Sequence, residues 1–155
     1  MDIIVARTLE HYLAAVVLFK EYAAGLGIDL KFQHFDNELQ ILPTMYGPPQ
    51  GELWLVQDQG QFVGCAALRQ LDSETCELKR MFVQPAYRGQ HLGEQLMETA
   101  LEKACELGYT TMKLDTLKRL TPALKIYRHH GFVEIPPYNY NPEGDVAYFE
   151  RKISR

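Results

Sequence analysis

Hydrophobic and polar residues alternate with two different periods along this chain, and each change of period marks an element. Ile3, Ile4 and Val5 form a short apolar run that reads as a first strand. After Thr8, a helix-capping residue type, Leu9, Tyr12, Leu13, Val16 and Val17 recur at helical spacing as far as Gly25. They predict an amphipathic helix that turns this stripe to a core. Residues 34–46 predict a second, shorter helix, closed by the Gly47-Pro48-Pro49 loop. Glu52–Gln57 and Gln61–Leu71 flank Asp58-Gln59-Gly60 and read as a hairpin, because Gly60 supplies the positive φ of a tight turn. Thr75–Val83 continues the meander.

Pro85 and a glycine-containing turn follow, then a long helix whose Leu92, Leu96, Met97, Ala100, Leu101 and Ala104 share one face and which Gly108 ends. Thr110–Asp115 is a strand. Thr121-Pro122 reads as a cap followed by proline at the first helical position of a short helix that runs to Gly131. Phe132–Ile135 and Val146–Ile153 are two late strands, divided by the turn-rich Pro136–Asp145. The order βααβββαβαββ implies an α/β fold: a mixed sheet with helices on both faces.

Composition narrows the function classes. A length of 155 residues fits a single domain over 1–155, with 46% apolar and 23% charged residues able to form a packed core. The net charge of −4 argues against a nucleic-acid partner, which needs clustered Lys and Arg. Cys65, Cys76 and Cys105 have neither CxxC nor zinc-ligand spacing and read as structural thiols of a reducing compartment. The first ten residues lack a signal-peptide pattern, and no run approaches the ~20 apolar residues of a membrane span. A cytoplasmic protein is expected.

The densest chemical signal is the stretch from Val83 to Gly93, where a strand stops, turns tightly and opens a helix. The first turn of a helix has backbone N–H groups without intrahelical partners, and the macrodipole adds partial positive charge. A pyrophosphate binds there without needing lysine. Gly89 and Gly93 let backbone approach phosphate and sheet, and Arg88 adds a cation beside them. As a plain steric device between strand and helix, the same glycines would carry no ligand.

This segment resembles motif A of the GCN5-related N-acetyltransferase family, with its V-x-P-x-Y-R-G lead-in and R-x-x-G-x-G signature. Arg88 and Gly93 match the first and last signature positions, Gly89 and Leu92 are common fillers, and His91 stands where the middle glycine is usual. On helical backbone, His91 would keep its N–H available to a phosphate. Downstream, Ala123 to Phe132 resembles the family's motif B, A-x-x-x-Y-x-x-x-G-F, although Leu120 replaces the asparagine that many members carry three residues before the alanine.

The resemblance implies a mostly antiparallel mixed sheet, splayed where the thioester arm enters, with acetyl-CoA as co-substrate and no metal. Its pyrophosphate would meet Arg88, Gly89, Gln90, His91, Leu92 and Gly93, and its pantetheine Met81, Phe82, Val83 and Tyr127. Tyr127 is implied as the general acid that protonates the leaving thiolate; its ring could equally pack on the helix's buried stripe. Glu77 matches where some members carry the general base, and a partly desolvated site would raise its pKa toward neutrality. As adjacent residues of a regular strand, Lys79 and Arg80 face opposite sides, so at most one belongs to the site unless a bulge intervenes.

Tyr138 or Tyr140, in the loop after Pro136, is a candidate lining residue of the acceptor pocket. The implied activity is direct transfer of an acetyl group onto the amine of a small molecule or amino acid, with protein lysine open as acceptor and a homodimer open as assembly. A non-catalytic acyl-CoA-binding regulatory module is the alternative. His11, His34, His129 and His130 show no metal or triad spacing.

Overall fold

The computed structural model describes residues 1–27 and 35–153. Its elements run β1 (Asp2–Val5), α1 (Leu9–Leu26), α2 (Phe35–Gln40), α3 (Leu42–Met45), β2 (Glu52–Asp58), β3 (Gln61–Gln70), β4 (Thr75–Val83), a 3₁₀ turn (Pro85–Tyr87), α4 (Leu92–Glu106), β5 (Thr111–Leu117), α5 (Thr121–His129), β6 (Val133–Ile135) and β7 (Val146–Lys152). All seven strands join one sheet in the order β1-β2-β3-β4-β5-β7-β6. Neighbours pair antiparallel except β4 and β5, which are parallel.

Local sequence explains most boundaries. The Thr8 hydroxyl accepts from His11 N at 3.2 Å while His11 Nδ1 accepts from Thr8 N at 3.4 Å, a reciprocal cap that starts α1. That gives His11 a structural task. The helix runs through Gly25 and stops at Gly27, whose φ of +66° suits a left-handed cap. Its buried face is Ala15, Leu18 and Phe19; Leu9, Leu13 and Val17, expected to face the core, are exposed. Because α1 is apolar on nearly every side, several stripes share one period and spacing alone picked the wrong one.

The helix expected over 34–46 is two short helices broken at Ile41, with Pro43 near the start of the second. His34 lies outside the described residues. Thr121 is not a cap but the first helical residue of α5, and Leu120 before it makes no side-chain cap bond.

Two apolar layers flank the sheet. Trp54, Val56, Ala66, Leu68, Cys76, Leu78, Met112, Leu114, Ala147 and Phe149 pack against α4 and α5 residues such as Leu96, Met97 and Tyr127. On the other face, Leu53, Leu55, Cys65 and Ala67 pack against Ala15, Leu18 and Phe19 of α1 and Leu42 of α3. Alternation along the strands then puts Arg69, Glu77, Lys79, Lys113, Asp115 and Tyr148 on this second face.

Two irregularities of β4 open and shape a gap in the sheet. Its pairing with β5 covers Thr75–Glu77 against Thr111–Lys113 and stops, although the strands continue to Val83 and Leu117. The sheet therefore splays between them, as the family resemblance implies. Against β3, Cys65 pairs with Phe82 and Ala67 with Lys79, so Ala66 opposes both Arg80 and Met81. This is a β-bulge, with Arg80 at a φ of +57°. No helix among the described residues is long and apolar enough to cross a membrane.

Candidate active site

At one end of the gap, Val83 leads through the 3₁₀ turn to Arg88, Gly89 and Gln90, all three exposed, and then to α4. Gly89 has a φ of +83° and open space where a Cβ would stand. His91 is the N-cap of α4, at a φ of +61° and without a side-chain cap bond. The expectation of helical backbone at His91 is thus corrected: the position is left-handed, which explains why glycine is usual there. The first i−4 bond of α4 runs from Gln95 N to His91 O, so the amides at its start are available to an anion.

Leu92 points its side chain into the core and offers only backbone, whereas Gly93 makes room for α5: a Cβ there would stand 3.0 Å from Ile126 Cδ1. Arg88 Nε donates to Val83 O at 3.1 Å, and its guanidinium lies 6.0 Å from the Phe82 ring centroid. The cation is therefore folded back over the mouth of the gap. An uncapped helix start, a left-handed glycine and Met81–Val83 backbone that β5 does not pair together fit a long thioester carrying a pyrophosphate.

On the α4/α5 face, Tyr127 is 6% exposed and packs near Phe132 and Phe149, with centroids 6.1 and 6.3 Å away. The packing reading of this residue therefore holds: it is a core aromatic, and its hydroxyl lies beside the Thr116 side chain on β5. Burial raises its pKa, so the hydroxyl keeps its proton and acts as a donor.

On the opposite face the site is built of charges. Glu77, 1% exposed, accepts from Arg69 Nε at 2.7 Å and from the Tyr138 hydroxyl at 2.7 Å, with Lys79 Nζ 3.9 Å away. Burial opposes its ionisation, but the charges of Lys79 and Arg69 and the two hydrogen bonds outweigh burial and hold its pKa below the ordinary carboxylate value. This overturns the expectation of a pKa raised toward neutrality. Glu77 is an ionised anchor for two hydrogen-bond donors and the Lys79 ammonium.

Lys79 is largely buried, and burial lowers its pKa against the pull of Glu77. The bulge puts Arg80 on the same face as Lys79, contrary to the regular-strand expectation, but Arg80 is 5% exposed and its guanidinium is forked onto Glu38 of α2. Tyr138 also stacks edge-on with Tyr148 and takes Lys113 Nζ 5.3 Å from its centroid, while Asn139 bridges to Asp115. Tyr140 is 77% exposed and stays outside the cluster.

Glu38, Arg69, Lys113 and Asp115 escaped the sequence reading. Arg69 had a signal: the turn closed by the Leu71 N to Thr75 O bond makes Arg69 the partner of Glu77 by simple hairpin counting. Glu38 had none, since its contact spans 42 residues and a poorly patterned segment.

Comparison with known proteins agrees with this geometry. The Acetyltransferase (GNAT) domain family matches residues 49–134. An uncharacterized N-acetyltransferase of Schizosaccharomyces pombe is 38% identical over 90% of this chain and 86% of its own length. Among solved structures, an acetyltransferase of Streptococcus agalactiae superposes with a TM-score of 0.82 at 25% identity, covering 97% of both chains. An acetyltransferase from Salmonella typhimurium holding acetyl-CoA has the same fold, with a TM-score of 0.69 at 16% identity over 100% of this chain and 95% of that one.

Proposed function

The chain belongs to the GCN5-related N-acetyltransferase family and is an acyl-CoA-dependent N-acetyltransferase, and from that premise we propose that it moves the acetyl group of acetyl-CoA directly onto an amine that also carries a carboxylate. The observation that carries this reading is the parting of β4 from β5 beyond Glu77, with a hydroxyl donor on one face and a cation cluster on the other. Arg88 and the amides from Gly89 to Gly93 hold the pyrophosphate end. Met81, Phe82 and Val83 line the pantetheine arm with backbone that β5 does not pair.

Tyr127 donates its proton, or a hydrogen bond, to the thiolate as it leaves. Across the gap, Lys79 orients the acceptor's carboxylate and Tyr138 closes the pocket over it. Accepting one hydrogen bond on each oxygen and pairing with Lys79, Glu77 fixes Arg69, Lys79 and Tyr138; it reaches the amine proton by exchanging the Tyr138 hydrogen bond for the incoming amine. Neither Cys65 nor Cys76 suits a relay, since burial pushes the Cys65 thiol up and the Cys76 thiol up to about 12. The odd number and spacing of the cysteines favour the cytoplasm as the compartment.

Thiol release from acetyl-CoA, measured against matched amines with and without a carboxylate, tests the reading. Amino acids should turn over best, and Lys79→Met should raise their Michaelis constants about 10-fold or more while leaving carboxylate-free amines unchanged, as expected for loss of a charge-assisted contact. Equal use of both amine classes overturns the acceptor assignment. Absence of any melting shift at acetyl-CoA concentrations up to the millimolar range overturns the coenzyme site itself, because ligand at a hundred times its dissociation constant stabilises by about 2.7 kcal/mol.

A further inference from the structure

The bulge of β4 is held by a residue that belongs to none of the motifs. Glu38, on α2, accepts from Arg80 Nε at 2.9 Å with one carboxylate oxygen and from Arg80 Nη2 at 2.9 Å with the other. Both side chains are almost wholly buried. A two-point fork between guanidinium and carboxylate fixes orientation as well as distance, which a single contact does not. The hydroxyl of Tyr46, fully buried on α3's C-terminal side, lies in the field of the same pair.

Arg80 is also the residue at a φ of +57°, a conformation that glycine adopts freely and that a residue with a Cβ avoids. Such backbone persists where surrounding contacts over-determine it. Here the buried fork fixes the side chain, while the Cys65 thiol donates to the Arg80 carbonyl at 3.2 Å. Its effect falls on the next three residues: the inserted position turns Met81 and Val83 toward the α4/α5 layer and leaves Phe82 opposite Cys65 in the other. A bulge also bends its strand, and this one bends where β4 leaves β5.

We propose that Glu38 is a positioning residue for acetyl transfer: through its fork on Arg80 it holds the β4 bulge in the left-handed form that sets Met81–Val83 along the coenzyme gap. The proposal rests on the coenzyme reading above. It also makes α2, on the acceptor face, part of what shapes the coenzyme strand. Neither carboxylate oxygen of Glu38 is offered to substrate, so its influence passes through Arg80.

The test is calorimetric titration with coenzyme A, well below each variant's melting temperature, alongside the Michaelis constant for acetyl-CoA. Glu38→Gln leaves Arg80 charged, buried and without its fork, and the dissociation constant should rise at least about 10-fold. Adding Arg80→Gly removes the stranded charge and supplies a residue that takes a positive φ unaided, so the double variant should return to within about 3-fold of wild type. Rescue of affinity by glycine is not expected of a residue that only stabilises the fold.

Wild-type affinity in Glu38→Gln overturns the proposal. So does a double variant as weak as Glu38→Gln alone, since the carboxylate would then act without the bulge. If Glu38→Gln does not fold, Glu38→Gln/Arg80→Gly is compared with Glu38→Gln/Arg80→Ala, which has a Cβ at the left-handed position. Glycine should bind coenzyme A about 10-fold tighter, and equal affinities overturn the proposal. Absence of binding by the wild type itself would instead bring down the coenzyme reading, and the proposal with it.

Discussion

The two faces of the sheet around the gap are made of different materials. Toward α4 and α5 the lining is apolar apart from the Tyr127 hydroxyl and the Thr116 side chain beside it, with the Tyr127 ring packed near Phe132 and Phe149. Toward α1 and α2 the same strands present Arg69, Glu77, Lys79, Arg80, Lys113 and Asp115, most of them linked by ion pairs or hydrogen bonds. Removing one hydroxyl from the first face leaves a core that still packs. Removing one charge from the second strands its partners in a site that water reaches poorly. The apolar face can therefore lose chemistry without losing structure, while the charged face couples the two.

Tyr127→Phe should give the largest effect and the cleanest one. Positioned proton transfer contributes about 10²–10⁴-fold, so turnover should fall by that factor, with the acetyl-CoA dissociation constant and the melting temperature nearly unchanged. Single-turnover kinetics beside a thermal melt check it. A melting temperature that drops in step with the rate would erase the distinction between the faces.

Glu77→Gln should behave in the opposite way, losing stability as well as rate. Breaking a fully buried pair costs about 3–5 kcal/mol, and with Arg69 about a third exposed a loss of about 2–3 kcal/mol is expected. The pH dependence fixes the sign. Because the folded-state pKa of Glu77 lies below its ordinary value of 4.5, the ionised carboxylate favours the folded state above that value. This contribution is lost as pH falls through the depressed folded pKa. Denaturant melts of wild type and variant should differ fully near neutrality and converge in acid; a gap that widens on acidification would mean that Glu77 is held protonated, as a raised pKa requires.

The same division decides what could be read from the sequence. The proposed coenzyme half is local: a strand end, Gly89, an N-cap and the start of α4 succeed one another within eleven residues, and helix geometry converts that spacing directly into a candidate anion site. The stripe of α4 was equally legible, because its polar face leaves only one apolar side. The proposed acceptor half brings together Glu38, Arg69, Glu77, Lys79, Lys113 and Tyr138, whose proximity depends on strand register, on a one-residue bulge and on a loop folded back across β5 and β7. No periodicity encodes a bulge, since an arginine in the left-handed region looks like any other strand residue. Charge type pointed to Lys79 and Arg80, which the bulge puts on one face; the distant contact with Glu38 is what separates the forked cation from the candidate substrate cation.

The smallest predicted effect sharpens the comparison where the sequence departs from the family pattern. His91 caps α4 from a φ of +61°, and its ring, largely exposed, sits 3.5 Å from Glu94 Oε2 with no bond to the helix amides. A left-handed residue with a Cβ carries a strain of about 1–2 kcal/mol, eased for histidine relative to branched residues. His91→Gly relieves that strain but frees the unfolded chain, which offsets about 0.4–1 kcal/mol. A net gain of about 0.5–1 kcal/mol is expected, read as a small rise in melting temperature. Coenzyme affinity should hold or tighten, because the amide is kept and the Cβ beside it is removed. The change touches neither Tyr127 nor the charged cluster, so turnover at saturating substrates should stay at wild type. A loss of coenzyme affinity in a stabilised His91→Gly protein would show that the imidazole itself binds, and that this face carries a second polar contact the apolar lining conceals.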